Sequence, residues 1–157
     1  MIIFSFDVLA LPSEATGARQ PTLEGRKLWN MAFPAFSGRI LVFGAGMEVD
    51  ECQTWLKREN YKASTVDVIA ETDSRSKFNR IDTLRSVYGR LDWLVDVDPE
   101  VISYAIKAGI PSLLVTMPYV VRPEWSIERK PKEWNKLVTE IEAQRLAWAE
   151  RNWGDVS

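Results

Sequence analysis

Five short apolar runs, most of them followed by a segment of helical periodicity, constrain this chain more than any other feature. They are IIFSF (2–6), RILVFGA (39–45), STVDVIA (64–70), LDWLVDV (91–97) and PSLLVT (111–116). Near-continuous apolar runs of this length suit strands buried on both faces, and strands alternating with helices specify an α/β domain with a parallel sheet. Among the helical segments, LEGRKLWNMAF carries Leu28, Met31 and Ala32 on one face and is expected to stop before Pro34 and Gly38. MEVDECQTWLKREN carries Val49, Cys52 and Leu56 with Trp55 beside them, at spacings of three and four. SKFNRIDTLRSVYG places Phe78, Ile81, Leu84 and Tyr88 in register and closes on Gly89, while PEVISYAIKAG opens on Pro99 and ends at Gly109. The stretch from Pro12 to Pro21, rich in Pro, Ser, Thr and Gly, reads as a loop. After MPYVVRPEW comes a long amphipathic helix, EWNKLVTEIEAQRLAWAERNW. Its stripe of Trp134, Leu137, Val138, Ile141, Arg145 and Trp148 suits docking on the domain or facing a partner.

The 157 residues fit one domain with a sizeable core. A formal net charge of −2 gives no basic excess for sequence-independent binding to nucleic acid, and RPEWSIERKPKEWNK mixes its bases with acids as a solvated surface does. Cys52 is the only cysteine, so an intrachain disulfide is excluded and a reducing, cytoplasmic compartment is the expectation. Its place on an apolar helical face, without a histidine partner, assigns it to the core. The chain has no histidine. That removes the commonest general base and the commonest transition-metal ligand, so a bound metal would need oxygen ligands, as magnesium or calcium does. The opening MIIFSFDVLALP lacks a basic n-region and reads as a strand rather than a signal peptide, and no run is long enough to span a membrane.

Ligands of open parallel sheets bind beyond the carboxyl ends of the strands. Asp7 follows the first strand; Asp96 and Asp98 end the fourth. If those strands are neighbours, three carboxylates meet in one crevice, and their repulsion raises one or more pKa values unless a cation sits among them. Magnesium held by two carboxylates and completed by water and phosphate oxygens would resolve the conflict. Asp98 also stands in DPE, where it caps the helix that Pro99 begins; capping and metal ligation are both open to it. Gly44, Ala45 and Gly46 resemble part of a dinucleotide-binding loop without its full glycine fingerprint, and a tight strand-to-helix turn is the simpler account.

Asp7 after the first strand, Lys77 opening a helix, and LVDVDPEVISYAIKAGIPSLLV together resemble the haloacid dehalogenase-like superfamily over roughly residues 2 to 118. The chain also resembles the small proteins of that superfamily encoded by actinobacterial phages. In those, a phrase like GRILV…WLKRE precedes the acidic strand, and a PEW segment with a tryptophan-rich helix ends the chain. The resemblance implies a three-layer, Rossmann-like α/β domain. Its five parallel strands would lie in the order 3-2-1-4-5 with helices on both faces, no large cap domain, and an added helical extension near 124–153. It implies Asp7 as the nucleophile that forms an aspartyl-phosphate, Lys77 as neutraliser of the transferred group, and Asp7, Asp96 and Asp98 as magnesium ligands. Lys77 lies in the polar stretch ETDSRSKFNR beside Arg75 and Arg80, so a solvated surface lysine is an equal reading.

Two departures from the family pattern stand out. The aspartate expected two residues after the nucleophile, as general acid and base, is replaced by Leu9, unless the stretch has lost a few residues. The hydroxyl expected after the second strand is replaced by the Gly44–Gly46 turn. General acid–base catalysis contributes about 10²- to 10⁴-fold. Two functions therefore follow from the resemblance. One is a scaffold that no longer catalyses and serves in binding or assembly, as a phage component in the host cytoplasm or virion. The other is a magnesium-dependent phosphoesterase acting on a phosphorylated small molecule. Seven tryptophans in 157 residues suit packing of the terminal helix on the sheet's flanking helices, or a protein partner or second copy there.

Overall fold

The computed structural model describes residues 1–12, 18–116 and 130–153. Its centre is a sheet of five strands, all paired in parallel: β1 (Ile2–Ser5), β4 (Ile40–Ala45), β5 (Thr65–Ile69), β6 (Trp93–Asp96) and β7 (Ser112–Leu114), in the spatial order β5-β4-β1-β6-β7. The central strands β1 and β4 are buried on both faces, and their two-residue period divides the core. Ile2 and Phe4 of β1, with Ile40 and Val42 of β4, face one cluster that includes Trp29, Cys52, Trp55 and Leu56. Ile3, Leu41, Phe43 and Leu94 face the other, which includes Ile81, Leu84, Val101, Ile102 and Ala105. Helices α2 (Leu23–Phe36) and α3 (Val49–Arg58) therefore cover one face, and α4 (Ser74–Tyr88) and α5 (Pro99–Lys107) the other.

The first strand is shorter than IIFSF predicts. It ends at Ser5, and Phe6–Leu9 form a single helical turn, α1. Phe6, Val8 and Leu9 are all buried, a spacing that strand alternation cannot deliver to one core but a helical turn can. Two of its carbonyls find partners on Thr22: the hydroxyl donates to Val8 O at 2.6 Å and the amide to Leu9 O at 3.0 Å. The same hydroxyl accepts from the Gly25 amide at 3.1 Å and so caps α2. The expected loop from Pro12 to Pro21 contains pairing instead. Strands β2 (Ala10–Pro12) and β3 (Arg19–Pro21) form an antiparallel ladder with Pro12 opposite Arg19. The loop residues 13–17 lie outside the described residues.

Helix α2 runs through Pro34 to Phe36 rather than stopping before it. The bond Pro34 cannot donate would go to the carbonyl of Asn30, an exposed residue, so water replaces it at little cost. At the carboxyl side, α6 (Lys130–Trp153) packs against α5. Among the described side chains only part of the predicted stripe makes the contact. Leu137 enters the core, and Glu140 and Gln144 share its partly covered face, while Val138, Ile141 and Arg145 are exposed. Of the tryptophans, Trp29 and Trp55 sandwich Tyr61 in the core, with centroid separations of 5.0 and 5.9 Å, and Trp93 is exposed. Trp125 and the side chains of Trp134, Trp148 and Trp153 lie outside the described residues, as do the PEW segment and most of the mixed basic stretch. Among the described residues no helix is long and apolar enough to cross a membrane.

Gly25 ties the helical turn to α2. A Cβ there would lie 2.3 Å from the Val8 carbonyl oxygen and 2.4 Å from Thr22 Oγ1. Alanine would add up to about 1 kcal/mol of helix propensity, but pushing α2 off backbone atoms costs about 1–3 kcal/mol. Gly25→Ala should therefore unfold at lower urea concentration than the wild type. A raised midpoint would show that α2 moves freely over α1.

Candidate active site at the carboxyl ends of the strands

Neighbouring strands β1 and β6 bring two of the expected carboxylates near each other at the carboxyl ends of the strands. Asp7 sits in the first turn of α1, two residues past β1, and Asp96 is the last residue of β6. Asp96 is 1% exposed. Its Oδ1 accepts from the amides of Val97 at 2.7 Å and Asp98 at 3.2 Å, which fixes the carboxyl plane. Its Oδ2 is buried and has no hydrogen-bond partner among the described residues. Burial raises the Asp96 pKa, the charges of Asp98 and Asp7 raise it further, and Lys77 opposes them; together they push it up to about 7.

Asp98 divides its oxygens between two jobs. Oδ1 accepts from the amides of Glu100 at 2.9 Å and Val101 at 3.4 Å and so caps α5, with Pro99 in the first turn. Oδ2 takes the Ser74 hydroxyl at 2.8 Å and the Lys77 ammonium at 3.4 Å. Lys77 is 7% exposed, which removes the reading of a solvated surface lysine. The arginines near it go elsewhere: Arg80 grips Asp67 with two bonds, at 2.7 and 2.9 Å, and Arg75 lies over the Tyr104 ring. Ser74 was not legible as a site residue. Its only signal is its place after the cap Asp73, one turn before Lys77.

Arg19 is a second residue without a sequence signal. It reaches Asp7 from the hairpin, with Nη1 3.5 Å from Asp7 Oδ1. Leu9 does not enter the crevice; it is fully buried in the core beneath α2. The Gly44–Gly46 turn is a tight connection: Gly46 has φ +70°, and its amide donates to Ile69 O at 2.9 Å. A Cβ on Gly44 would lie 2.8 Å from the Met47 sulfur. Cys52 is buried in the core, and its thiol is pushed up to about 12 by burial first, with Glu51 adding and Arg19 opposing.

No family model, curated protein or solved structure matches this chain.

Among the described residues no three His, Cys, Asp or Glu side chains form a group that could hold a metal ion. Asp96 has one unpartnered oxygen with Asp7 near it, while both Asp98 oxygens already accept hydrogen bonds from the protein. Magnesium is commonly held by one or two carboxylates, with waters and phosphate oxygens completing its shell. Asp7 and Asp96 are the residues that could take that role, and Asp98 caps α5 and pairs with Lys77.

A carboxyl whose pKa rises on folding stabilises the folded state most below its unfolded value, and that stability is lost as pH climbs to the folded value. For Asp96 the window runs from about pH 4 to about pH 7. Asp96→Asn removes the titration. The stability of wild type relative to this variant should fall across the window by about 4 kcal/mol, read from urea denaturation at several pH values. A pH-independent difference would show that Asp96 ionises as readily folded as unfolded.

Proposed function

We propose that this chain is a haloacid dehalogenase-like domain whose crevice binds a divalent cation together with a phosphate-bearing ligand, and that it works by binding rather than by rapid turnover. The observation that carries the reading is the Asp96 oxygen buried without a partner beside Asp7, Asp98 and Lys77. A charged carboxylate in a core is costly; a proton, favoured by the raised pKa, or a bound cation offsets it. The strand order supports the reading too. Numbered along the chain among the five members of the large sheet, the strands lie third, second, first, fourth, fifth.

Lys77, held on Asp98, supplies fixed positive charge at the start of α4, where a phosphoryl oxygen would be met by charge rather than by water. The cation, when bound, would screen the carboxylates from the phosphate. What is missing is proton transfer. Leu9 is buried and apolar, so a leaving alkoxide would receive no proton from that position, and an incoming water would find no base there.

A second reading rests on Asp7, which stands at the crevice with its side chain 18% exposed. An Asp7 oxygen could attack a phosphoryl group whose leaving oxyanion is stable enough to depart unprotonated. The Asp7 O–P bond would form as the P–O bond to the leaving group breaks. Without a base to activate water, the phosphorylated enzyme would accumulate.

Calorimetric titration with magnesium chloride, then with inorganic phosphate, tests the proposal. Wild type should bind magnesium, Asp96→Asn should lose most of that affinity, and phosphate binding should depend on magnesium. Incubation with p-nitrophenyl phosphate and magnesium should release no more than a stoichiometric amount of nitrophenol, absent in Asp7→Asn. Many turnovers, abolished by Asp7→Asn, would replace the binding role with that of a phosphatase. Failure of the wild type to bind magnesium would overturn both readings.

A further inference from the structure

Arg19 is placed with more care than a surface ion pair needs. Strand β3 fixes its backbone, and the Trp55 indole Nε1–H donates to its carbonyl at 3.1 Å. Its guanidinium lies over the Phe6 ring, 5.0 Å from the centroid, and its side chain is only 23% exposed. The contact with Asp7 is 3.5 Å, a meeting of charges longer than a good hydrogen bond. The same arginine lines a cleft of about 590 Å³ between the hairpin and α3, with Phe6, Asp50, Thr54, Trp55 and Arg58. Phe6 in its wall immediately precedes Asp7 in the chain.

A phosphate group at Asp7 would face the charges of Asp7 and Asp98, and Lys77, which shares its ammonium with Asp98, can balance only one of them. The Gly44–Gly46 turn brings no hydroxyl, and its Gly46 amide is taken by Ile69. The crevice therefore needs another anion-binding group. A guanidinium offers five donors in a planar fork matched to phosphate, and rotation over an aromatic face keeps its cation–π contact. We infer that Arg19 is an anion-binding residue that shares its guanidinium between Asp7 and a phosphate oxygen, so that cation and phosphate binding are coupled through it. This rests on the cation-and-phosphate reading of the crevice. Arg19 competes with a divalent cation for Asp7, and turns to the phosphate once the cation holds that carboxylate.

The coupling gives one substitution opposite effects on two ligands. In Arg19→Ala, magnesium chloride titrated alone should bind about two- to threefold more tightly, as expected when a competing surface ion pair is removed. Inorganic phosphate titrated at saturating magnesium should bind at least about tenfold more weakly, the loss expected for a charge-assisted hydrogen bond. Arg19→Lys should fall between Arg19→Ala and wild type for phosphate. Arg58→Ala, in the same cleft, should change neither affinity. Weakening of both ligands by Arg19→Ala would make Arg19 a structural residue and overturn the inference, as would no change in either. Loss of phosphate binding in Lys77→Ala but not in Arg19→Ala would overturn the role of Arg19 while leaving the crevice as the site. A wild type that binds neither ligand would overturn the crevice reading itself.

Discussion

Thr22 joins the single helical turn after β1 to helix α2. Its hydroxyl and amide take the Val8 and Leu9 carbonyls, and the same hydroxyl starts α2. The central strand β1 must leave the sheet abruptly, because Phe6, Val8 and Leu9 all belong to one core cluster. A single helical turn accomplishes that exit, but four residues cannot sustain a helix by themselves. Thr22 and the close approach of Gly25 supply what the turn lacks. The orientation of Asp7 follows from this clasp, and with it the meeting of Asp7 and Asp96.

The second constraint is electrostatic. Asp96 ends a buried strand, and the amides of Val97 and Asp98 satisfy only half of its carboxylate. Asp98, by contrast, is satisfied on every side: two helix amides, a hydroxyl and a lysine. Two aspartates two residues apart thus have different chemistry. One is structural and sets the position of Lys77; the other keeps capacity for a ligand. Burial contributes most to this difference, because it penalises charge at Asp96 before any neighbour acts.

The large sheet was legible because buried strands write near-continuous apolar runs, and the helices between them because their apolar faces repeat at three and four. The Asp98 cap was legible from DPE, a local signal that needs no tertiary context. The hairpin β2–β3 was hidden because its strands are three residues each and carry two prolines, so composition spoke for a loop. Arg19 was hidden with it, since nothing local reveals that Pro12 lies opposite Arg19 or that Trp55 holds the Arg19 carbonyl. For α6 the predicted stripe held only in part. Apolar residues exceed what docking on α5 can cover, and the helix settles on the Leu137 row, leaving Val138 and Ile141 in water. The extent of α2 was misjudged because Pro34 falls in its last turns, where one missing bond on an exposed side is tolerated.

The burial of Leu9 limits what a substitution at this position can supply. In a crevice-facing position, a single exchange of leucine for aspartate would be enough to offer a proton-transfer group. Here residue 9 points into the packed layer between the sheet and α2, among Phe6, Val8, Trp29 and Trp55. A carboxylate there would be buried without partners and would have to be neutral, or unfold its surroundings. With the present backbone, an aspartate at position 9 would therefore sit in the packed core rather than at the ends of the strands.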